Sequence, residues 1–337
     1  MTEKIKIVII GYGHIGKKHA EIVALNSSYQ LIAIVDPLFS TGELASTLSA
    51  PMFDDLQAFW QSGLAVDIFA ICTPNGIHYE QAREILTRKK HVIIEKPLTL
   101  SASEARALEN LAAENEVHIF PVMQNRFSPP AQWLKQILND HILGKIFMVQ
   151  ISCYWNRNDL YYTKQSWRGT KKLDGGTLYT QFSHYLDMMY WLFGDITNIK
   201  SKFEDFNHSH LTEFEDSGIV TFDFEKGGMG SFSFSTSVWQ ENLESSLTII
   251  AENGSVKVGG QYMNTIEKCL IKDYSQPNLP ETGLPNDYGT YKGSAQNHHL
   301  LYDNISDFLA KGIAMQTTTD DSIQVLQMIE NMYASNI

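Results

Sequence analysis

The sequence predicts an α/β domain built on a doubly wound parallel sheet, followed by an α+β domain with a large, mostly antiparallel open sheet. Three observations predict it. Short apolar runs alternate with amphipathic stretches from Ile5 to about Phe120, a glycine-rich turn follows the first run, and after Pro129-Pro130 the runs are separated by Gly or Asn-Gly turns. Strands alternating with helices build parallel sheets, and strands joined by tight glycine turns build antiparallel ones.

In the first half, residues 1–122, the strand cores are Ile7 to Ile10, Leu31 to Val35, Ile68 to Cys72, Val92 to Glu95 and His118 to Phe120. Ala82, Ile85 and Leu86 fall on one helical face, and Ser101 with Glu104 three residues on is a capping-box start signal. The second half, 123–337, begins with a helix over Ala131 to Leu138 and a strand over Ile146 to Trp155. One apolar helix is expected from about Thr177 to Phe193. Strands follow over Ser217 to Phe224, Met229 to Val238, Ser245 to Ala251, Ser255 to Val258 and Thr265 to Lys272. Tyr274 to Gly293 reads as a long loop, and two helices, from about Ala295 and from Asp320, close the chain, with the option of packing back on the first half.

At 337 residues the chain exceeds what one core usually supports, so two domains are expected. With 26 Lys and Arg against 38 Asp and Glu the net charge is −12, and no basic run tracks a phosphate backbone, which argues against nucleic acid as a partner. Three widely spaced cysteines suit reduced thiols in a cytoplasmic protein and supply no zinc pair. No apolar run approaches the length of a membrane helix.

Gly11-Tyr12-Gly13-His14-Ile15-Gly16 follows the first strand and opens a helix, and Asp36 ends the second strand twenty residues after Gly16. Gly11 permits the tight turn, Gly13 lets the backbone approach a pyrophosphate, Gly16 lets helix and strand pack closely, and the helix N-terminus attracts the phosphate charge. A carboxylate at Asp36 accepts bonds from ribose hydroxyls and repels a 2′-phosphate, which favours NAD over NADP. The alternative use of Asp36 is as a turn residue before Pro37.

Thr73-Pro74-Asn75-Gly76-Ile77-His78 and Glu95-Lys96-Pro97 end the third and fourth predicted strands, where open α/β sheets bind ligands. Beside a positively charged nicotinamide, the ammonium of Lys96 is disfavoured and the amine becomes a base near neutral pH; a plain surface charge is the competing reading. His184 and Asp187 lie three apart on one helix face, with no convincing further ligands for a metal. Arg157 and Arg168 flank a loop rich in aromatics (Tyr154, Trp155, Tyr161, Tyr162, Trp167) and suit a carboxylate or diphosphate. The pairs His208/His210 and His298/His299 fall in polar sequence and read as solvated histidines.

Taken together, the glycine turn, Asp36, the Thr73 to His78 segment, Glu95-Lys96-Pro97 and the long β-rich second half resemble the Gfo/Idh/MocA oxidoreductases. That resemblance implies a Rossmann domain, NAD as cofactor and an open sheet that covers itself by forming a homodimer or homotetramer. A narrower set is similar to bacterial UDP-N-acetylglucosaminuronic acid 3-dehydrogenases: Gln124-Asn125-Arg126, Trp155-Asn156-Arg157, Tyr161-Tyr162, Trp167-Arg168-Gly169, Gln181-Phe182-Ser183-His184 running to Asp187, and His298. The chain departs from that group at Thr163, Thr180, Phe182 and Asn297.

What this implies is oxidation of a sugar C3 hydroxyl by Lys96, His184 and Asp187, with either Lys96 or His184 as the base. Cofactor contacts would come from Gly11, Gly13, His14, Ile15, Gly16, Asp36, Thr73, Pro74, Asn75, His78, Glu95, Lys96, Gln124, Trp167 and Arg168. Substrate contacts would come from Lys96, Asn125, Arg157, Tyr161, Tyr162, Gln181, Ser183, His184 and His298, and 2-oxoglutarate would reoxidise the cofactor in some relatives. Other sugars or inositols, and a non-catalytic NAD-binding regulator, are the alternatives.

Overall fold

A computed structural model describes residues 3–38, 50–163, 166–283, 285–287, 289 and 291–337. The chain divides into two compact units, one formed by Met1–Val122 and His298–Ser322, the other by Met123–Asn297 and Ile323–Ile337.

In the first unit, β1 (Ile5–Ile10) leads into α1 (His14–Leu25), β2 (Tyr29–Val35), β3 (Met52–Phe53), α2 (Leu56–Gln61) and β4 (Ile68–Ile71). The run continues through α3 (His78–Thr87), β5 (His91–Ile94), α4 (Ala102–Glu114) and β6 (Ile119–Pro121). The six strands lie parallel in the order β3-β2-β1-β4-β5-β6. All four residues of β4 are buried, as are the last four of β1, because helices cover both faces of such a sheet and an unbroken apolar run satisfies both. The order reverses about β1, which puts the loops after β1 and β4 side by side at the carboxyl edge. Ser101 caps α4 by accepting the Ser103 N–H. The short β3 and α2 went unread in the sequence because two- and six-residue elements carry no period to detect.

The second unit opens with α5 (Pro129–Asn139) and β7 (Ile146–Tyr154). Then come α6 (Thr177–Thr180), α7 (Ser183–Phe193), β8 (Ile196–Glu204), β9 (Ser217–Phe224), β10 (Met229–Ser235), β11 (Glu244–Ala251), β12 (Gly254–Gly259) and β13 (Thr265–Ile271). Seven strands form one sheet in the order β13-β12-β11-β7-β10-β9-β8, with only β7 and β10 parallel. Burial alternates along β9, so one face of the sheet packs inward. On the other face Leu270, Met148 and Met229 are exposed and stand in one cross-strand row through the register Leu270–Ser255–Ile250–Met148–Met229.

Four expectations need correction. The single helix from Thr177 to Phe193 is two helices, broken at Gln181 and Phe182. Thr180 spends its hydroxyl on the Asp174 carbonyl and carboxylate, and the Phe182 ring leaves the helix line to pack among Trp155, Phe232 and Phe234. Strand β8 was missed because an edge strand carrying Lys200 and Lys202 lacks a clean apolar alternation. Within the stretch read as a loop, β14 (Pro285–Asp287) pairs with β15 (Lys292–Ala295); residues 284, 288 and 290 of that stretch lie outside the described residues. The next helix, α8 (His298–Lys311), begins after β15 and not at Ala295, and α9 (Thr319–Ala334) ends the chain.

Within the second unit, the end of α9 is fixed by Tyr333, which donates its hydroxyl to Glu215 at 2.7 Å, while Thr177 donates to the Glu215 carbonyl at 2.5 Å. Burial pushes the Glu215 carboxyl up to about 7, with the Tyr333 hydrogen bond opposing it. A carboxyl raised in the folded state holds a proton that the unfolded chain has released, so its stabilisation is complete below about pH 4.5 and is lost as pH rises through 7. Thermal melts between pH 5 and 8 should therefore show a loss of roughly 1–3 kcal/mol, and Glu215→Gln should flatten most of that slope.

Candidate active site

In the first unit the glycine turn is shaped by contact, not by sequence habit. Gly11 has φ +85°, and a Cβ there would meet the Cys72 carbonyl oxygen at 2.7 Å; a Cβ on Gly16 would meet the Gly11 oxygen at 1.9 Å. Gly13 has nothing within 4 Å of where its Cβ would stand, leaving an open cradle at the start of α1. Close packing at two glycines and vacant space at the middle one fit a pyrophosphate seated on the helix N-terminus.

Asp36 serves the loop as well as any ribose. Its Oδ2 accepts the Tyr12 N–H at 2.6 Å and its Oδ1 accepts the Leu38 N–H at 2.8 Å, the bonds of a turn residue. Each oxygen retains acceptor capacity for a sugar hydroxyl.

The loops after β4 and β5 are joined by His78, whose Nε2 lies 2.9 Å from the Thr73 carbonyl and whose Nδ1 lies 2.9 Å from the Pro97 carbonyl. Burial holds this imidazole below its usual range, so one nitrogen at a time donates. Thr73 donates to Gln81 at 2.7 Å, and Asn75 sits buried in a 3-10 turn over Asn75–Ile77. Glu95 lies behind Lys96: its Oε1 is 2.9 Å from His19 Nε2 and 3.5 Å from His298 Nε2, and its Oε2 accepts the Lys96 N–H at 3.1 Å. Burial alone would raise this carboxyl, but the His19 and His298 contacts outweigh it and hold the group well below the usual carboxylate range. His298 is thus a buried partner of Glu95, not the solvated residue expected, and only His299 of that pair is exposed. His19 was overlooked although it stands three residues after Gly16.

In the second unit, the 3-10 turn Gln124–Phe127 packs against α7 and β15. Arg126, wholly buried, grips Asp187 with two bonds, Nε to Oδ2 at 2.8 Å and Nη2 to Oδ1 at 2.6 Å. Sequence reasoning quoted Arg126 without giving it a role; its pairing depends on a fold contact between residues 61 apart. One turn earlier on α7, His184 Nε2 receives an N–H from Gln124 at 3.2 Å, and the same Gln124 amide donates to Ser294 at 3.1 Å. His184 Nε2 is therefore an acceptor, the state a proton-taking group needs.

Arg157 and Arg168 meet around two tyrosines. The Arg157 guanidinium lies 5.0 Å from the Tyr161 ring and 5.2 Å from Tyr291; for Arg168 the distances are 4.5 and 5.4 Å. Arg157 donates to the carbonyls of Asn156 and Lys292, Arg168 donates to the Tyr291 hydroxyl, and Gln181 donates to the Tyr161 hydroxyl at 3.0 Å. Among the described residues neither arginine has a carboxylate within ion-pair distance, and the Nε of each is buried without a hydrogen-bond partner. Gln124 Oε1, Asn125 Oδ1, Gln181 Oε1 and Ser183 Oγ are likewise buried and unanswered. Native proteins leave few such atoms, so this concentration on residues of one unit calls for a polar ligand.

Tyr162 is buried in a core cluster with Tyr161 and Phe214, and Trp167 lies under the Arg168 guanidinium at 5.2 Å. His208, expected to be solvated, is buried: its Nε2 is 2.6 Å from the Arg157 carbonyl and its Nδ1 3.3 Å from Asp216, which clamps the Arg157 backbone. His210 is exposed as expected.

Residues 5–122 match the oxidoreductase family with NAD-binding Rossmann fold, and residues 131–257 match the GFO/IDH/MocA C-terminal domain. The chain belongs to the Gfo/Idh/MocA family. It is an NAD-dependent oxidoreductase. Its fold matches the WlbA dehydrogenase of Bordetella pertussis, solved with NADH and UDP-GlcNAcA, at TM-score 0.87 and 28% identity over 99% of this chain and 96% of that one. The scyllo-inositol 2-dehydrogenase (NADP(+)) IolW of Bacillus subtilis is 23% identical over 98% of this chain and 93% of its own. An uncharacterised oxidoreductase of Synechocystis is 28% identical over 57% of this chain, which spans about half (52%) of that relative's length. Among the described residues no helix is long and apolar enough to cross a membrane.

Two outcomes test this geometry. Arg126→Leu removes the buried guanidinium that grips Asp187 and should cost about 3–5 kcal/mol in denaturant melts, whereas the double variant Arg126→Leu/Asp187→Leu should recover a large part of the loss. Asp36→Ala should shrink the discrimination between NAD and NADP at least about tenfold, or roughly 1.4 kcal/mol, in parallel Kd titrations.

Proposed function

We propose that this protein oxidises the C3 hydroxyl of a UDP-linked 2-acetamido-2-deoxy uronic acid to the 3-keto sugar, on the way to a 2,3-diamino sugar of a surface polysaccharide. The observation that carries the reading is the pair of guanidiniums of buried Arg157 and half-buried Arg168, which no carboxylate among the described residues pairs within ion-pair distance. A uronate or diphosphate supplies the missing negative charge and accepts their free Nε hydrogens. Tyr161 and Tyr291 offer ring faces for a sugar or base, and Gln124, Asn125, Gln181 and Ser183 hold open polar atoms for hydroxyl and acetamido groups. The Bordetella relative, solved with UDP-GlcNAcA, supports the same substrate class at 28% identity.

When bound, NAD supplies the nicotinamide carbon that accepts hydride. Gly11, Gly13 and Gly16 with the start of α1 hold the cofactor's pyrophosphate, and Asp36 selects its ribose. Lys96 and His184 are the candidates for the base that takes the hydroxyl proton; the acceptor state of His184 Nε2 suits that part, with Gln124 steadying the ring. Asp187, fixed by Arg126, places negative charge near the imidazole that gains the proton. The exposed row of Leu270, Met148 and Met229 favours a homodimer or homotetramer.

The test is to supply UDP-N-acetylglucosaminuronic acid and NAD, with and without 2-oxoglutarate, and to follow NADH absorbance together with the 3-keto product by mass spectrometry. Product is expected, and a need for 2-oxoglutarate would show the cofactor recycled in place. Turnover of inositols or free sugars but not this nucleotide would overturn the substrate. Lys96→Met should lower kcat by about 10²–10⁴ with NAD affinity retained.

A further inference from the structure

The hydrogen bonds behind Glu95 run in one direction and finish on the backbone of Lys96. Glu95 is held as a carboxylate, which can only accept, so the His19 nitrogen 2.9 Å away, Nε2, carries a hydrogen. His19 Nδ1 lies 2.7 Å from the Tyr302 hydroxyl, which burial keeps protonated and able to donate. One tautomer of His19 satisfies both contacts. The second oxygen of Glu95 receives the Lys96 N–H at 3.1 Å. Tyr302 is itself anchored, since its carbonyl accepts the Tyr29 hydroxyl at 2.8 Å. His19, Glu95, Tyr302 and Tyr29 are all buried, and all lie in the first unit.

We propose that His19 is a positioning residue for Lys96: oriented by Tyr302, it fixes the Glu95 carboxylate in the rotamer that receives the Lys96 peptide N–H, and so sets where the lysine side chain leaves the end of β5. The inference rests on the reading of Lys96 as a proton-transfer group. Its physical basis is that a buried carboxylate turns toward whichever donors remain. Without the His19 N–H the carboxylate loses its closest side-chain donor, the neighbouring peptide loses its fixed acceptor, and the lysine amine moves relative to its target. Displacements of about 1 Å at such a group cost on the order of 10²-fold in rate. His19 also sits on α1, the helix that starts at the glycine turn, so the same ring ties the strand end bearing Lys96 to the cofactor helix.

The test compares His19→Leu, which fills the space without a donor, with His19→Gln, whose side-chain amide restores an N–H at similar reach. The first readout needs no turnover: competitive acetylation of lysines across pH, with the Lys96 peptide quantified by mass spectrometry against exposed Lys89. The Leu variant should shift the Lys96 labelling curve by about half a pH unit or more, or threefold at fixed pH. Lys89 should stay unchanged, and the Gln variant should return the curve toward wild type. In the second readout, kcat for the Leu variant should fall about 10–100-fold with the Kd for NAD within about threefold, and the Gln variant should recover most of it. A folded Leu variant that labels Lys96 as wild type does would overturn the proposal, as would Gln and Leu variants that behave alike. If the wild type oxidises no sugar, the proposed function fails on that result alone, and the labelling comparison still decides the part of His19.

Discussion

Arg126 and Asp187 are both withdrawn from water, and the second unit is arranged to make that tolerable. Burying two charges costs several kcal/mol each unless the geometry is good and the remaining hydrogen-bonding capacity is used. The two-bond grip at 2.8 and 2.6 Å meets the condition of geometry, and it ties the Gln124–Phe127 turn to α7, against which that turn packs. Once that turn is locked to α7, the neighbouring Gln124 reaches His184 one turn away, and Ser294 of β15 is drawn to the same amide. The face of α7 that carries His184 thus inherits its order from the Arg126–Asp187 ion pair.

A second constraint acts on the two arginines in the aromatic region. The chain carries a net charge of −12, yet Arg157 and Arg168 sit together without a carboxylate among the described residues. Aromatic faces hold them, through cation–π contact and packing of the guanidinium planes, without neutralising them. The His208–Asp216 pair fixes the backbone of Arg157 from behind by binding its carbonyl, which leaves the positive charge available. An overall acidic protein can in this way keep a strongly local appetite for anions.

Much of the first unit was legible in the sequence because its signals are local. Strand β4 is an unbroken apolar run, the glycine turn has its own spacing, and Asp36 and Lys96 end strands. The second unit was legible as strands and turns but less so as a site. No periodicity reveals that Thr180 will bond Asp174 and break a helix, that Phe182 will swing into an aromatic cluster, or that Arg126 will close on a residue 61 positions later. These are properties of contacts between distant segments. His208 and His298 misled for the same reason: polar neighbours in sequence say nothing of the carboxylates Asp216 and Glu95 that receive them in space. Strand β8 escaped because its lysines protect an edge and leave the pattern blank.

The double engagement of Asp36 carries a consequence for how such a protein changes over time. Its two oxygens hold the backbone of Tyr12 in the glycine turn and of Leu38 just past the strand, so the residue proposed to select between cofactors also braces the glycine turn. A lineage drifting toward a phosphorylated cofactor cannot simply exchange this carboxylate for a neutral or basic side chain. It would surrender two structural bonds in the same step and would first need some other group to hold the turn. On that proposal cofactor choice is guarded by architecture, and the guard is a single side chain.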